Sequence, residues 1–226
     1  MDDSALVIFS GGQDSTTCLY WAKQRFKQVS AVTFCYGQRH RREIESARVI
    51  AGMAGIAHEV VDIGAVFAGS SPLTCDRPLA QYHDADSLPQ GLEDTFVPGR
   101  NILFLTVAAN RAYVSGCNHV VIGVTQEDFG GYPDCRDHFI EAMQTALSLG
   151  LDRPLQIHAP LQHLRKKEIV ELAAKLDGCM EALAHSTTCY AGSLPPCGTC
   201  HSCLLRSRGF AEAGIADPLV TPLGVR

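Results

Sequence analysis

Ala5-Leu6-Val7-Ile8-Phe9-Ser10-Gly11-Gly12-Gln13-Asp14-Ser15 decides how this chain is read. Five consecutive apolar residues without polar alternation suit a strand buried on both faces, as in the middle of a parallel sheet. The run passes straight into a Gly-Gly turn, and Ser15 to Arg25 then reads as a helix with Leu19 and Ala22 on its inner face. A strand, a glycine turn and a helix in that order leave free backbone N–H groups and the positive end of a helix dipole at the turn, which is an anion site. Glycines let the backbone come close to a phosphate. Phe9, Ser10, Gly11, Gly12, Gln13, Asp14, Ser15 and Thr16 are therefore the candidate nucleotide-binding residues. Asp14 either caps the helix or helps to hold Mg²⁺. The loop has no lysine where a Walker A loop carries one, so it is not built for γ-phosphate transfer.

Working outward, strands at Val29–Phe34, His58–Ile63, Val120–Thr125 and Leu155–His158 alternate with helices at Arg39–Ala54, Arg100–Ser115, Asp137–Leu149 and Leu164–Lys175. That alternation predicts an α/β fold, a doubly wound parallel sheet with right-handed crossovers. Gly64 to Pro98 lacks periodicity and is far longer than an ordinary connection, so it reads as a lid or a mobile segment. Five segments follow strands: Ser10–Ser15, Tyr36–His40, the long loop, Gln126–Arg136 and Ala159–His163. Ligands of parallel sheets bind beyond the carboxyl ends of the strands, so these loops can converge on one site.

The chain has 226 residues, 46% of them hydrophobic, and a net charge of −5. This allows one full α/β domain with a small appendage. The charge favours a small-molecule substrate over direct nucleic-acid binding. The apolar runs are too short to span a membrane, and Met1-Asp2-Asp3 is acidic where a signal peptide is positive. A cytoplasmic protein is expected. Six of the ten cysteines are scattered, whereas Cys189, Cys197, Cys200 and Cys203 fall together with C-x-x-C spacing. Four such thiolates point to a closed, structural zinc site, with an iron–sulfur cluster as the competitor for the same ligands. Residues 1–176 are read as the nucleotide-binding domain and 177–226 as a metal-binding segment, with one further helix at His201–Ala213, packed on it.

Three more loops carry candidate residues. Arg39 and His40 suit a phosphate or a carboxylate, or else begin a solvated basic helix. Arg100 opens a helix against the dipole's preference, which fits a hold on an anion. In Gly130-Gly131-Tyr132-Pro133-Asp134-Cys135-Arg136, Tyr132 can stack on a planar ring, and Asp134 can accept from a guanine-like N–H edge or simply cap the next helix. Cys135 is a minor candidate nucleophile without an evident base.

S-G-G-x-D-S resembles the signature of the PP-loop ATP pyrophosphatases, which split ATP between its α- and β-phosphates and adenylate a substrate. Together with T-F-x-Y-G-Q-R-H at 33–40, F-V-P-G-R-N-I-L-F-L at 96–105, G-Y-P-D-C-R at 131–136 and the four-cysteine tail, the chain closely resembles the 7-cyano-7-deazaguanine (preQ0) synthase family over nearly its whole length. Cys35 departs from that pattern, standing where the family's T-F-D-Y-G-Q run has an acid. The resemblance implies an adenine-nucleotide α-hydrolase-like, Rossmann-like fold and a carbon–nitrogen ligase of queuosine biosynthesis. It implies 7-carboxy-7-deazaguanine and ammonia as substrates, ATP and Mg²⁺, release of AMP and pyrophosphate, one structural Zn²⁺ per chain, and a homodimer. Asp14 and Arg100 become the catalytic candidates, and Gln38, Arg39, His40, Asn101, Tyr132, Asp134 and Arg136 the substrate-binding ones. The alternative is a PP-loop tRNA-thiolation enzyme or another amide-forming adenylating enzyme. A non-enzymatic zinc-knuckle module would make the Gly12 and Asp14 loop incidental.

Overall fold

Alternate side chains of the first strand serve two cores. In β1 (Ser4–Ile8) and the residue after it, Ala5, Val7 and Phe9 enter one apolar cluster, while Leu6 and Ile8 enter another on the opposite face. A strand buried on both faces belongs inside a sheet. In the computed structural model, which describes residues 3–89, 91–126 and 131–221, β1 is the central strand of five. The others are β2 (Gln28–Cys35), β3 (Ala57–Asp62), β4 (His119–Val121) and β5 (Gln156–His158). All four pairings are parallel and the order is β3-β2-β1-β4-β5. The fold is thus the doubly wound parallel α/β sheet that the sequence predicts. Chain order reverses between β1 and β4, and a crevice opens at their carboxyl ends.

Seven helices cover the sheet among the described residues: α1 (Gln13–Lys23), α2 (Arg42–Ala54), α3 (Arg100–Ser115), α4 (Asp137–Gly150), α5 (Lys166–Ala173), α6 (Cys179–Leu183) and α7 (His201–Ala213). The cluster holding Leu105, Ala108 and Ile140 lies under α3 and α4. The other joins Leu19 of α1, Ile50 of α2, Ile169 of α5, Leu183 of α6 and Phe210 of α7. The C-terminal segment therefore shares a core with β1.

The sequence reading departs from the structure in three places. β4 stops at Val121 rather than Thr125, because Gly123 lies against the start of α1, where a Cβ would stand 3.1 Å from the Ser15 nitrogen. The short helix α6 is additional to the one helix expected in the metal-binding segment; its five residues are too few to display a period. Among its described residues the long loop is tied down rather than loose. It holds one 3-10 turn at Ala85–Ser87 and is stitched down by hydrogen bonds from the Arg39 nitrogen to the Leu73 carbonyl and from the Tyr82 nitrogen to the Thr199 carbonyl, both 2.9 Å.

Arg206 of α7 closes the C-terminal segment. Its side chain is 4% exposed and makes a bidentate pair with Asp217, with both contacts at 2.7 Å. It also donates to Ser186 Oγ, Thr188 Oγ1 and the Leu183 carbonyl. Removing one member of such a pair strands a buried charge, at a cost of about 3–5 kcal/mol. Asp217→Ala should therefore lower the Tm by on the order of 10 °C, measured by differential scanning calorimetry.

Candidate active site

A cleft of about 290 Å³ opens beyond β1 and β4. The glycine loop forms one wall, and its backbone is wedged. Gly11 has φ +77°, and a Cβ there would lie 2.6 Å from both the Ala47 nitrogen and the Glu43 carbonyl oxygen of α2. Its own carbonyl accepts from the Thr187 nitrogen at 2.9 Å. Ser10 and Ser15 brace the turn through their hydroxyls, 3.0 Å apart. No side chain caps α1, the residues at its start, Gly12 to Ser15, line the cleft, and Asp14 does not take the capping role. Asp14 instead pairs with Lys166 Nζ at 2.7 Å, while its other oxygen is buried without a partner. The Gln13 amide is 3% exposed with both polar atoms unpartnered, and Thr16 Oγ1 is likewise orphaned. Buried polar groups are normally hydrogen-bonded; Gln13 and Asp14 line the cleft with such atoms unmet, which fits a polar ligand, whereas Thr16 lies behind the lining.

The opposite wall centres on Arg100, the first residue of α3. Burial weighs against its charge, yet Tyr36, Tyr132, Tyr190 and Asp134 around it hold its pKa above the ordinary arginine value, so it stays a cation. Glu43 lines the cleft too; burial pushes its carboxyl up to about 7, while Arg100 pulls it down. Tyr36, Phe104, Tyr132 and Tyr190 supply flat aromatic faces. Tyr132 is set from behind: its hydroxyl bonds Thr95 Oγ1 at 2.7 Å, and Thr95 in turn bonds the buried Glu93 carboxylate, which also accepts from Tyr82.

The remaining expected residues divide. Gln38, Arg39, His40 and Asn101 line the cleft. The Gln38 amide closes its own turn, from the Tyr36 nitrogen to the Phe34 carbonyl. Arg39 donates to the Arg77 carbonyl, and His40 lies against Gly192, where a Cβ would meet its ring at 2.4 Å. Gly11, Thr16, Asp134 and Arg136 do not line the cleft. Asp134 accepts from the Asn101 backbone at 3.3 Å and so caps α3, not the helix after it. Arg136 is exposed just before α4. The Ala159–His163 loop stays outside and braces its neighbour through a Gln162–Cys135 hydrogen bond. Gly130 lies outside the described residues. Cys35 is absent from the cleft lining and faces Asp62 of β3 in register.

Lys166, Glu43, Glu93 and Tyr190 were missed. Lys166 had a signal: a cation at a helix start opposes the dipole, as Arg100 does. Glu43 was hidden in a run of charged residues, and Glu93 and Tyr190 sit in aperiodic segments.

The four thiols of Cys189, Cys197, Cys200 and Cys203 lie within 4.8 Å of one another. A tetrahedron with metal–sulfur bonds of ~2.3 Å has sulfur–sulfur edges of about 3.8 Å, and Cys197 and Cys203 are 3.9 Å apart. Hydrogen bonds from Cys200 and Cys203 push the Cys189 thiol well below its ordinary pKa, and the same contacts push the Cys200 and Cys203 thiols above theirs. The donors fit a single ion. Tyr190, next to Cys189, enters the cleft directly, so the cysteine segment also shapes the site.

A glycine loop without a Walker lysine, set at the crevice of a doubly wound parallel sheet, defines an α/β protein whose site lies at the sheet's reversal point. Residues 4–214 match the family model described as Queuosine biosynthesis protein QueC, and the chain belongs to that family. Similar relatives carry the name 7-cyano-7-deazaguanine synthase. The one from Laribacter hongkongensis is 52% identical over 224 residues, covering 98% of this chain and 96% of its own. That from Chromobacterium violaceum is 53% identical over 225 residues, covering 97% and 94%. That from Gloeobacter violaceus is 52% identical over 221 residues, covering 95% and 94%. The chain is accordingly an enzyme of queuosine biosynthesis, and the tRNA-thiolation alternative falls away.

Purified protein is expected to carry one metal ion per chain by elemental analysis. Cys200→Ser should lose it, together with several kcal/mol of stability, because metal binding to such a site is folding free energy.

Proposed function

We propose that this enzyme converts 7-carboxy-7-deazaguanine and ammonia into 7-cyano-7-deazaguanine, using ATP twice and releasing AMP and pyrophosphate each time. The observation that carries the reading is the uncapped start of α1, behind a glycine loop and facing Arg100 across one cleft. First, a carboxylate oxygen of the substrate attacks the α-phosphorus and the bond to pyrophosphate breaks. Ammonia then attacks the acyl carbon of the adenylate, and AMP leaves with the electron pair. A second ATP adenylates the amide oxygen, and loss of AMP and two protons leaves the nitrile.

In this scheme Phe9 to Thr16 bind ATP, with the α1 N–H groups and the Ser10 and Ser15 hydroxyls on its phosphates. Arg100 is the catalytic cation for charge developing in the cleft. Asp14 would hold Mg²⁺ through its vacant oxygen; when bound, the ion supplies charge to the departing pyrophosphate. Tyr132 stacks on the deazaguanine ring, and Gln38, Arg39, His40 and Asn101 line the substrate's surroundings. Asp134 contributes through Asn101 rather than by touching the ring, and Arg136 has no contact to offer from where it stands. The loop from Gly64 to Pro98, packed on the metal segment, excludes the water that would hydrolyse an adenylate.

The metal is assigned as one structural Zn²⁺ per chain. The sulfur spacing supports this, since an iron–sulfur cluster places its own atoms between its ligands and spreads them further. The nucleotide domain ends at 176 and the zinc segment runs from 177. The active form is a cytoplasmic homodimer that meets no nucleic acid directly, in keeping with the net charge of −5.

Incubation with ATP, Mg²⁺, ammonia and 7-carboxy-7-deazaguanine should yield the nitrile by mass spectrometry with AMP as co-product; ADP would overturn the scheme. Gly11→Ala, which forces a Cβ into α2, should weaken ATP binding about a hundredfold by calorimetry, a loss of ~2.7 kcal/mol. Gly12→Ala, at φ −83° with its nearest neighbour 3.3 Å away, should lose less than about tenfold.

A further inference from the structure

The scheme above leaves one proton without a destination. When ammonia attacks the acyl carbon, the new C–N bond forms, the C–O bond to AMP breaks, and the nitrogen must give up a proton. Most carboxylates near the cleft are engaged. Asp14 is tied to Lys166 at 2.7 Å. Asp134 holds the backbone of Asn101. Glu93 accepts from Thr95 and Tyr82 and does not line the cleft. Glu43 lines it, and among the described residues no hydrogen bond reaches its carboxylate. Its position is fixed by the loop itself, since the Glu43 carbonyl abuts Gly11. Arg100 faces it from α3 and Tyr36 from beyond β2.

Resting on the reaction proposed above, we infer that Glu43 is the general base that takes the proton from ammonia as the carbon–nitrogen bond forms. The product of the step is the amide, AMP and a protonated Glu43, which returns its proton to solvent before the next turnover. A base works best when its pKa lies near the working pH, and burial brings this carboxyl to about 7. Arg100 keeps it from rising further. Arg100 thereby serves two charges at once, the developing one on the substrate and the resident one on Glu43.

The test separates adenylation from amide formation in the full-length protein. Substrate-dependent exchange of labelled pyrophosphate into ATP reports the first. Trapping with hydroxylamine, which is neutral and strongly nucleophilic, reports an intact adenylate without demanding a base. Glu43→Gln should keep exchange and hydroxamate formation within about threefold of wild type, while amide and nitrile formation from ammonia fall about a hundredfold or more. Glu43→Asp should recover part of that loss. At equal concentrations of unprotonated ammonia, wild type should show an acid limb centred near pH 7 that Glu43→Gln lacks. The other titratable groups lining the cleft are Asp14, Tyr36, Arg39, His40, Arg100, Tyr132, Cys135, Lys166, Tyr190 and His201, and all of them are kept in the variant. If exchange, hydroxamate and amide decline together, Glu43 is structural and the inference is wrong. It is equally wrong if ammonia-dependent synthesis survives. Absence of substrate-dependent exchange in wild type would instead overturn the parent reaction, and this assignment with it.

Discussion

The structure depends on a backbone contact that tolerates no side chain. Gly11 lies against α2 so closely that a Cβ would sit 2.6 Å from two of its backbone atoms. This clamp fixes where α1 begins and which way its N–H groups point. It also places Glu43 beside the loop and offers the Gly11 carbonyl to Thr187 of the C-terminal segment. From the other side, Gly123 brings the end of β4 against Ser15. Four parts of the chain thus meet at one turn, and the crevice at the sheet's reversal point becomes a defined pocket rather than an open groove.

The cysteine segment extends this logic. Its thiols stand apart from the chemistry, yet the residues between and around them form a wall: Thr187, Thr188, Tyr190, His201 and Leu205 all line the cleft. The same segment takes a backbone hydrogen bond from Tyr82 of the long loop at Thr199. An ion held by the four thiolates would hold that wall and the loop above it together. The Arg206–Asp217 pair locks the segment from beneath. A small element with few apolar residues gains from both devices, because it lacks a core of its own and shares that of β1.

What was legible in the sequence was what local pattern encodes. Apolar runs gave the strands, glycine after the first run gave the turn at the cleft, and cysteine spacing gave the four-thiol cluster. What escaped depends on contacts between distant segments. Lys166 meets Asp14 across 152 positions, and no window on either residue reports the other. Asp134 looked like a reader of substrate because a turn acid beside an aromatic fits that role, but the fold commits its carboxylate to α3. β4 looked longer because Ile122 and Val124 are apolar; both are buried in the core, but after the bond from the Ile122 nitrogen to the His158 carbonyl the strand ladder ends. Periodicity reports burial, and burial is not the same as a hydrogen-bonded ladder.

The pairing of Asp14 with Lys166 also settles an electrostatic difficulty in the loop. A carboxylate in the first turn of α1 supports the helix dipole, but it opposes the arrival of a phosphate. Two like unit charges about 4 Å apart repel by about 4 kcal/mol at an effective dielectric constant of 20. Left alone, Asp14 would cancel much of what the free N–H groups offer. Lys166, 2.7 Å away and 13% exposed, neutralises it. The helix terminus then presents its dipole undiminished, with Arg100 held as a cation across the cleft. A Walker lysine sits within the loop and follows the terminal phosphates. Here the lysine comes from α5 and is spent on an acid of α1, so the helix dipole itself, rather than a loop lysine, is what the start of α1 offers an anion.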